Sequence, residues 1–92
     1  MGVLNVDFTL STDGASADWN VPVSANYMFY AVGTFGGGTL SLECSPDGGT
    51  TWFTVDHLVE AGRLIRYLVS GETVRVSLVG ATTPNISTGL RQ

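Results

Sequence analysis

Apolar and polar residues alternate with a period of two through much of this chain, and this pattern restricts the fold more than any other feature. Successive side chains of a β-strand point to opposite faces of the sheet, so alternation is typical of a strand with one buried face. The clearest apolar rows are Leu4, Val6, Phe8 and Leu10, then Leu40, Leu42 and Cys44, then Val74, Val76 and Leu78. No stretch of a dozen residues keeps helical spacing.

Turn signals separate these segments at short intervals. Residues 46–49, Pro-Asp-Gly-Gly, give a strong hairpin signal between two strands, and residues 36–38 are three consecutive glycines. We therefore predict one all-β domain over residues 1–92. The expected architecture is a small β-sandwich, jelly-roll or immunoglobulin-like, with about seven or eight short antiparallel strands. A small open barrel is the alternative.

The composition indicates a chain that gains stability from a partner subunit. A domain of 92 residues buries a modest core, and small domains often rely on a disulfide, a metal or oligomerisation. The chain has one cysteine, Cys44, and one histidine, His57, so neither an internal disulfide nor a His/Cys zinc cluster is expected. Charged residues make up 13%, against about 25% on average, and interface cores are depleted in charge. We expect a homo-oligomer, with a trimer favoured. The alternative is that serine and threonine replace charge on a solvated surface.

Several function classes are not expected. The net charge is −4 and the four arginines are scattered, which argues against nucleic acid as a partner. No segment approaches the roughly 20 apolar residues of a membrane helix, so no membrane partner is expected. Asp47 and Asp56 belong to dispersed acidic residues rather than a cation-binding cluster, so we expect no metal and no cofactor. Cys44 and His57 lack the spacing of a nucleophile and base, so we expect no catalytic residues and no enzyme.

Residues 26–35 differ from the alternating segments because most of them are apolar without a break. A strand that is apolar on both sides is covered on both sides, and a chain this small offers little to cover the second face. We therefore expect its outer face to meet another subunit, with Tyr27, Phe29 and Tyr30 as interface candidates. The alternative is a central strand of the sandwich with one aromatic flank exposed. Val6 and Phe8 join them, because a strand over residues 3–10 could add to the sheet of a neighbour.

Residues 45–52 match the Asp-box pattern Ser-x-Asp-x-Gly-x-Thr-Trp, which is specific for a local structure rather than for an activity. The five matching positions are Ser45, Asp47, Gly49, Thr51 and Trp52. In such a turn the aspartate accepts hydrogen bonds, the glycine takes a backbone conformation that other residues avoid, and the tryptophan packs beneath the hairpin. We expect a structural hairpin.

Residues 30–52 contain a strand, a glycine-rich turn, an alternating strand, a Ser-Pro-Asp-Gly-Gly hairpin and a tryptophan, and this series resembles small virion-associated proteins of tailed bacteriophages. Residues 74–82 are similar to the C-terminal strand and loop of those proteins. The resemblance implies a β-sandwich building block of a phage particle. We therefore expect a capsid decoration (cement) protein on the outer surface of the virion, bound to copies of itself and to the major capsid protein.

The alternative function is a carbohydrate-binding or adhesin module of a tail fibre or cell-surface protein. Such a module presents flat aromatic faces to a sugar. Trp19, Tyr27 and Tyr30 are the candidates for this platform. Their exposure discriminates between the two hypotheses, because a solvated platform favours sugar binding.

Overall fold

The computed structural model describes residues 5–92. These residues form nine β-strands: β1 Asn5–Leu10, β2 Gly14–Ala15, β3 Trp19–Asn20, β4 Ala25–Thr34, β5 Thr39–Ser45, β6 Phe53–Leu58, β7 Gly62–Leu68, β8 Thr73–Val79 and β9 Asn85–Arg91. All pairings between them are antiparallel. The described part of the chain contains no helix long and apolar enough to cross a membrane.

The strands form two sheets, and the strand order distinguishes a jelly roll from an immunoglobulin-like sandwich. Sheet A has the order β1-β9-β4-β7, and sheet B has the order β2-β8-β5-β6 with β3 also paired to β8. Because β2 and β3 both pair with β8, they occupy the place of one interrupted strand. The chain then crosses between sheets at every step except from β5 to β6. This is the strand order of a jelly roll, so the prediction of an all-β sandwich is confirmed and the immunoglobulin-like alternative is not.

The core lies between the two sheets. The alternation predicts its rows from β5 and β8, and β4 and β9 add further rows. Fully buried members are Tyr27 and Phe29 from β4, Leu40 and Leu42 from β5, Val74 and Val76 from β8, and Ile86 and Leu90 from β9. Each such side chain contributes about 1.5–3 kcal/mol relative to an exposed one. Cys44 continues the inward row of β5 and packs against the core while remaining half-buried, close to the predicted position.

The position of β4 corrects part of the predicted subunit interface. Tyr27 and Phe29 are completely buried in the domain's own core, so their side chains are not available to a partner. The Tyr27 hydroxyl is also satisfied internally, because it donates to the Val23 carbonyl at 2.7 Å. Met28 and Val32 lie on the opposite face of β4, where Val32 is 52% exposed. The strand is apolar on both sides because one face meets sheet B and the other remains partly open.

The position of β1 corrects the expectation that Val6 and Phe8 are available to another subunit. All six residues of β1 pair with β9 of the same sheet, from Asn5 opposite Arg91 to Leu10 opposite Ile86. Leu10 is buried, and Val6 and Phe8 pack against the domain's own core rather than facing away from it. The beginning of the proposed exchange segment, residues 3 and 4, lies outside the described residues. Strand β1 is therefore an edge strand of sheet A that pairs with β9 of its own chain.

Candidate functional site

The five Asp-box residues are brought together in one turn between β5 and β6. The Ser45 hydroxyl donates to Asp47 Oδ1 at 2.7 Å and accepts from the Gly49 backbone N–H at 2.8 Å. Asp47 Oδ1 also accepts from the backbone N–H groups of Thr50 at 3.1 Å and Thr51 at 2.8 Å. Gly49 has a φ of 107°, a conformation that L-residues with side chains rarely adopt. One carboxylate oxygen thus organises the turn.

Trp52 links this turn to the outer face of sheet B. Its indole N–H donates to the Gly49 carbonyl at 3.0 Å. The Arg75 guanidinium lies over the indole ring, 4.0 Å from its centroid, and Arg75 Nε donates to Glu43 Oε1 at 2.8 Å. A cation above an indole face stabilises the pair by about 0.5–1 kcal/mol at a partly exposed site. Trp52 and Arg75 therefore tie the turn to strands β5 and β8.

The turn should make the protein sensitive to acid. The bond from the Thr51 backbone N–H, followed by that from Ser45, lowers the pKa of Asp47 to about 2 from an ordinary 3.8. Because the pKa is lower in the folded state, the stabilisation is complete above about pH 4 and disappears as the pH falls through about 2. We expect the urea midpoint of the native chain to fall over this window more than that of Asp47→Asn. Equal slopes for the two proteins between pH 4 and 2 would contradict this assignment.

The three aromatic residues proposed as a sugar platform do not share a surface. Tyr27 is buried, and Trp19 is half-buried with its ring edge-on to Tyr27, the centroids 5.9 Å apart and the planes at 83°. Tyr30 lies on the outer face of sheet A, on the other side of its strand from Tyr27. This corrects the expectation that these residues present flat faces to a ligand together.

Tyr30 instead belongs to a polar clamp across three strands of sheet A. Its hydroxyl donates to Asp7 Oδ1 at 2.9 Å, and Arg91 Nη2 lies 2.6 Å from the same oxygen. The Arg91 guanidinium also lies over the Tyr30 ring, 5.0 Å from its centroid. The bond from Arg91, followed by that from Tyr30, lowers the pKa of Asp7, and partial burial, followed by the bond to Asp7, raises the pKa of Tyr30. Of the five predicted interface residues, only Tyr30 faces outward.

Cys44 and His57 lie on opposite faces of sheet B. Cys44 packs against the core opposite Val74, whereas the His57 side chain is exposed on the outer row of β6. Burial, followed by a hydrogen bond with Glu72, raises the pKa of the Cys44 thiol to about 11. Within residues 5–92, no group of three His, Cys, Asp or Glu side chains is arranged to hold a metal ion.

Most of the exposed large hydrophobic residues fall in the segment that contains β6 and β7, the strands that end sheet B and sheet A. Among the described residues there are eight such side chains, and five of them fall within residues 53–69. We call this group the lateral surface: Phe53, Val59, Ile65, Tyr67 and Val69. Ile65 and Tyr67 are each 60% exposed. The sequence contains a mostly apolar run at residues 64–69, but this run does not reveal that the strand ends a sheet.

An ion pair joins the two sheets between β6 and β7. Asp56 of β6 and Arg66 of β7 form an ion pair between the strand edges. The backbone N–H of His57, followed by the charge of Arg66, lowers the pKa of Asp56. Arg66 Nη1 also donates to the carbonyl of Ile65 at 2.7 Å, so the same guanidinium covers part of the exposed edge of β7.

Comparison of the chain with known protein families and with curated proteins finds no match in either.

Proposed function

We propose that this protein is a structural component of a tailed-phage virion, a capsid decoration protein that stabilises the head through contacts with copies of itself and with the major capsid protein. The observation that carries this proposal is the lateral surface, five exposed hydrophobic side chains within residues 53–69 of a domain with few charges. Exposed hydrophobic side chains that group together are characteristic of interaction sites, and the cores of such sites are depleted in charge.

The arrangement of the aromatic residues, rather than the fold, favours this proposal over the alternative. Jelly rolls occur among viral capsid domains and among lectins, so the fold is compatible with both hypotheses and selects neither. The sugar alternative loses its specific support, because Trp19, Tyr27 and Tyr30 do not form a platform. Many symmetric copies on a shell gain avidity from contacts that are individually weak, which suits a small apolar surface.

The proposal is tested on particles of the phage whose genome encodes the chain. We expect the protein in purified virions, in a copy number fixed by the capsid symmetry, and saturable binding of labelled protein to shells made of the major capsid protein alone. The double variant Phe53→Ser with Tyr67→Ser should bind these shells at least tenfold more weakly. The matched control, Val32→Ser with Val79→Ser, changes two similarly exposed residues outside the lateral surface and should bind normally. Absence of the chain from virions, or shell binding that neither pair changes, would contradict the proposal.

A further inference from the structure

We propose that strand β7 is a self-association edge, to which β7 of a second copy adds in antiparallel orientation about a two-fold axis at Ile65. Sheet A of one copy and sheet A of the other then form one continuous sheet of eight strands. Strand addition supplies backbone hydrogen bonds between partners, and side-chain pairs across the junction decide which partner fits. This pairing does not depend on the proposed function, because such a dimer can form whether or not the chain binds a capsid.

The backbone of β7 presents its unused hydrogen-bonding groups at Ile65. The Thr88 hydroxyl donates to the Tyr30 carbonyl at 2.6 Å, which indicates that Tyr30 directs its backbone groups toward β9. Met28, two residues earlier, therefore does the same, and its partner Ile65 directs its own groups away from β4. The bond from Arg66 to the Ile65 carbonyl agrees, since that oxygen lies within reach of a side chain at the edge.

The register about Ile65 is self-complementary. A two-fold axis at this residue places Ile65 opposite Ile65 of the second copy, and Arg63 opposite Tyr67 of the second copy. An arginine over a tyrosine ring is favourable, and the chain already uses this contact between Arg91 and Tyr30. On the inner face, Leu64 lies opposite Arg66 of the second copy. No two like charges lie directly opposite each other. The two Arg66 side chains are diagonal neighbours across the axis, and the ion pair of each with its own Asp56 offsets their repulsion.

In the single chain, Arg66 protects this edge from pairing with another strand. Natural proteins protect edge strands with charged side chains, and here a guanidinium occupies the carbonyl that a second strand would use. In the dimer, the N–H of Ile65 from the second copy replaces this bond, while Arg66 keeps its ion pair with Asp56.

The first test is the solution mass at increasing protein concentration. Light scattering should give twice the chain mass of 9.7 kDa. Ile65→Lys should weaken the dimer at least about tenfold, because two ammonium groups then face each other at the axis. Val32→Lys is the matched control, since Val32 is similarly exposed on the same sheet but lies beyond the end of β7. Because Ile65 is exposed, the lysine variant should keep the native thermal transition.

The second test identifies the axis directly. In a Cys44→Ala background, Ile65→Cys should form an intermolecular disulfide on mild oxidation. Directly opposite hydrogen-bonded residues lie about 5.5 Å apart between Cα atoms, within disulfide reach. Val32→Cys in the same background should give several-fold less covalent dimer. A native chain that stays monomeric at all concentrations, a dimer that Ile65→Lys does not weaken, or equal cross-linking of the two cysteine variants would each overturn the proposal.

Discussion

Replacing Phe29 with alanine should unfold the protein or destabilise it by about 3–5 kcal/mol, the usual cost of removing a buried aromatic side chain. Phe29 is fully buried between the sheets, in contact with the core rather than with solvent. A domain of this size has a total stability of only about 5–15 kcal/mol, so the loss is a large fraction of it. Urea denaturation followed by tryptophan fluorescence measures the change.

Val32→Ala is the matched control for this experiment. Val32 lies on the same strand but on the outer face, where it is 52% exposed, and its truncation should change the stability by less than about 0.5 kcal/mol. The comparison separates the two interpretations of this apolar strand. If Phe29 belonged to a subunit interface, its alanine variant would remain a stable folded monomer, and that result would contradict the placement of Phe29 in the core.

The residue pattern of β4 shows why the sequence predicts the strand but not its environment. Alternation groups Tyr27, Phe29 and Ala31 on one face and Met28 with Val32 on the other. Both rows are apolar, so local pattern does not say which one faces sheet B. That choice depends on strands β5 and β8, which are distant in sequence. Sequence reasoning therefore placed the inner row in a subunit interface.

The Asp-box turn could be predicted from the sequence because its interactions are local. Every hydrogen bond to Asp47 comes from a residue within four positions along the chain. The lateral surface could not be predicted from the sequence, because it arises where β6 and β7 become the outer strands of two different sheets. An apolar segment such as residues 64–69 has the same local pattern in a central strand and in an edge strand, and only strand order distinguishes them.

Deleting residues 1–10 should abolish cooperative folding, because strand β1 completes sheet A of its own chain. The deletion removes all six residues that pair with β9, including the core contacts of Val6, Phe8 and Leu10. It also removes Asp7, which the Tyr30 hydroxyl and the Arg91 guanidinium both contact. We expect loss of the sharp thermal transition and of dispersed amide signals in NMR spectra.

A chain that begins at Asn5 is the control, because it keeps every described contact of β1 and should retain the native transition. The two deletions together test whether β1 completes the sheet of its own chain or that of a neighbour. A β1 that completes its own sheet cannot be removed without exposing the inner face of β9, where Ile86 and Leu90 are fully buried. If the chain lacking residues 1–10 unfolded with a sharp transition near that of the intact protein, β1 would be dispensable for the domain. Exchange of this strand with a neighbour would then become the better explanation of its apolar row.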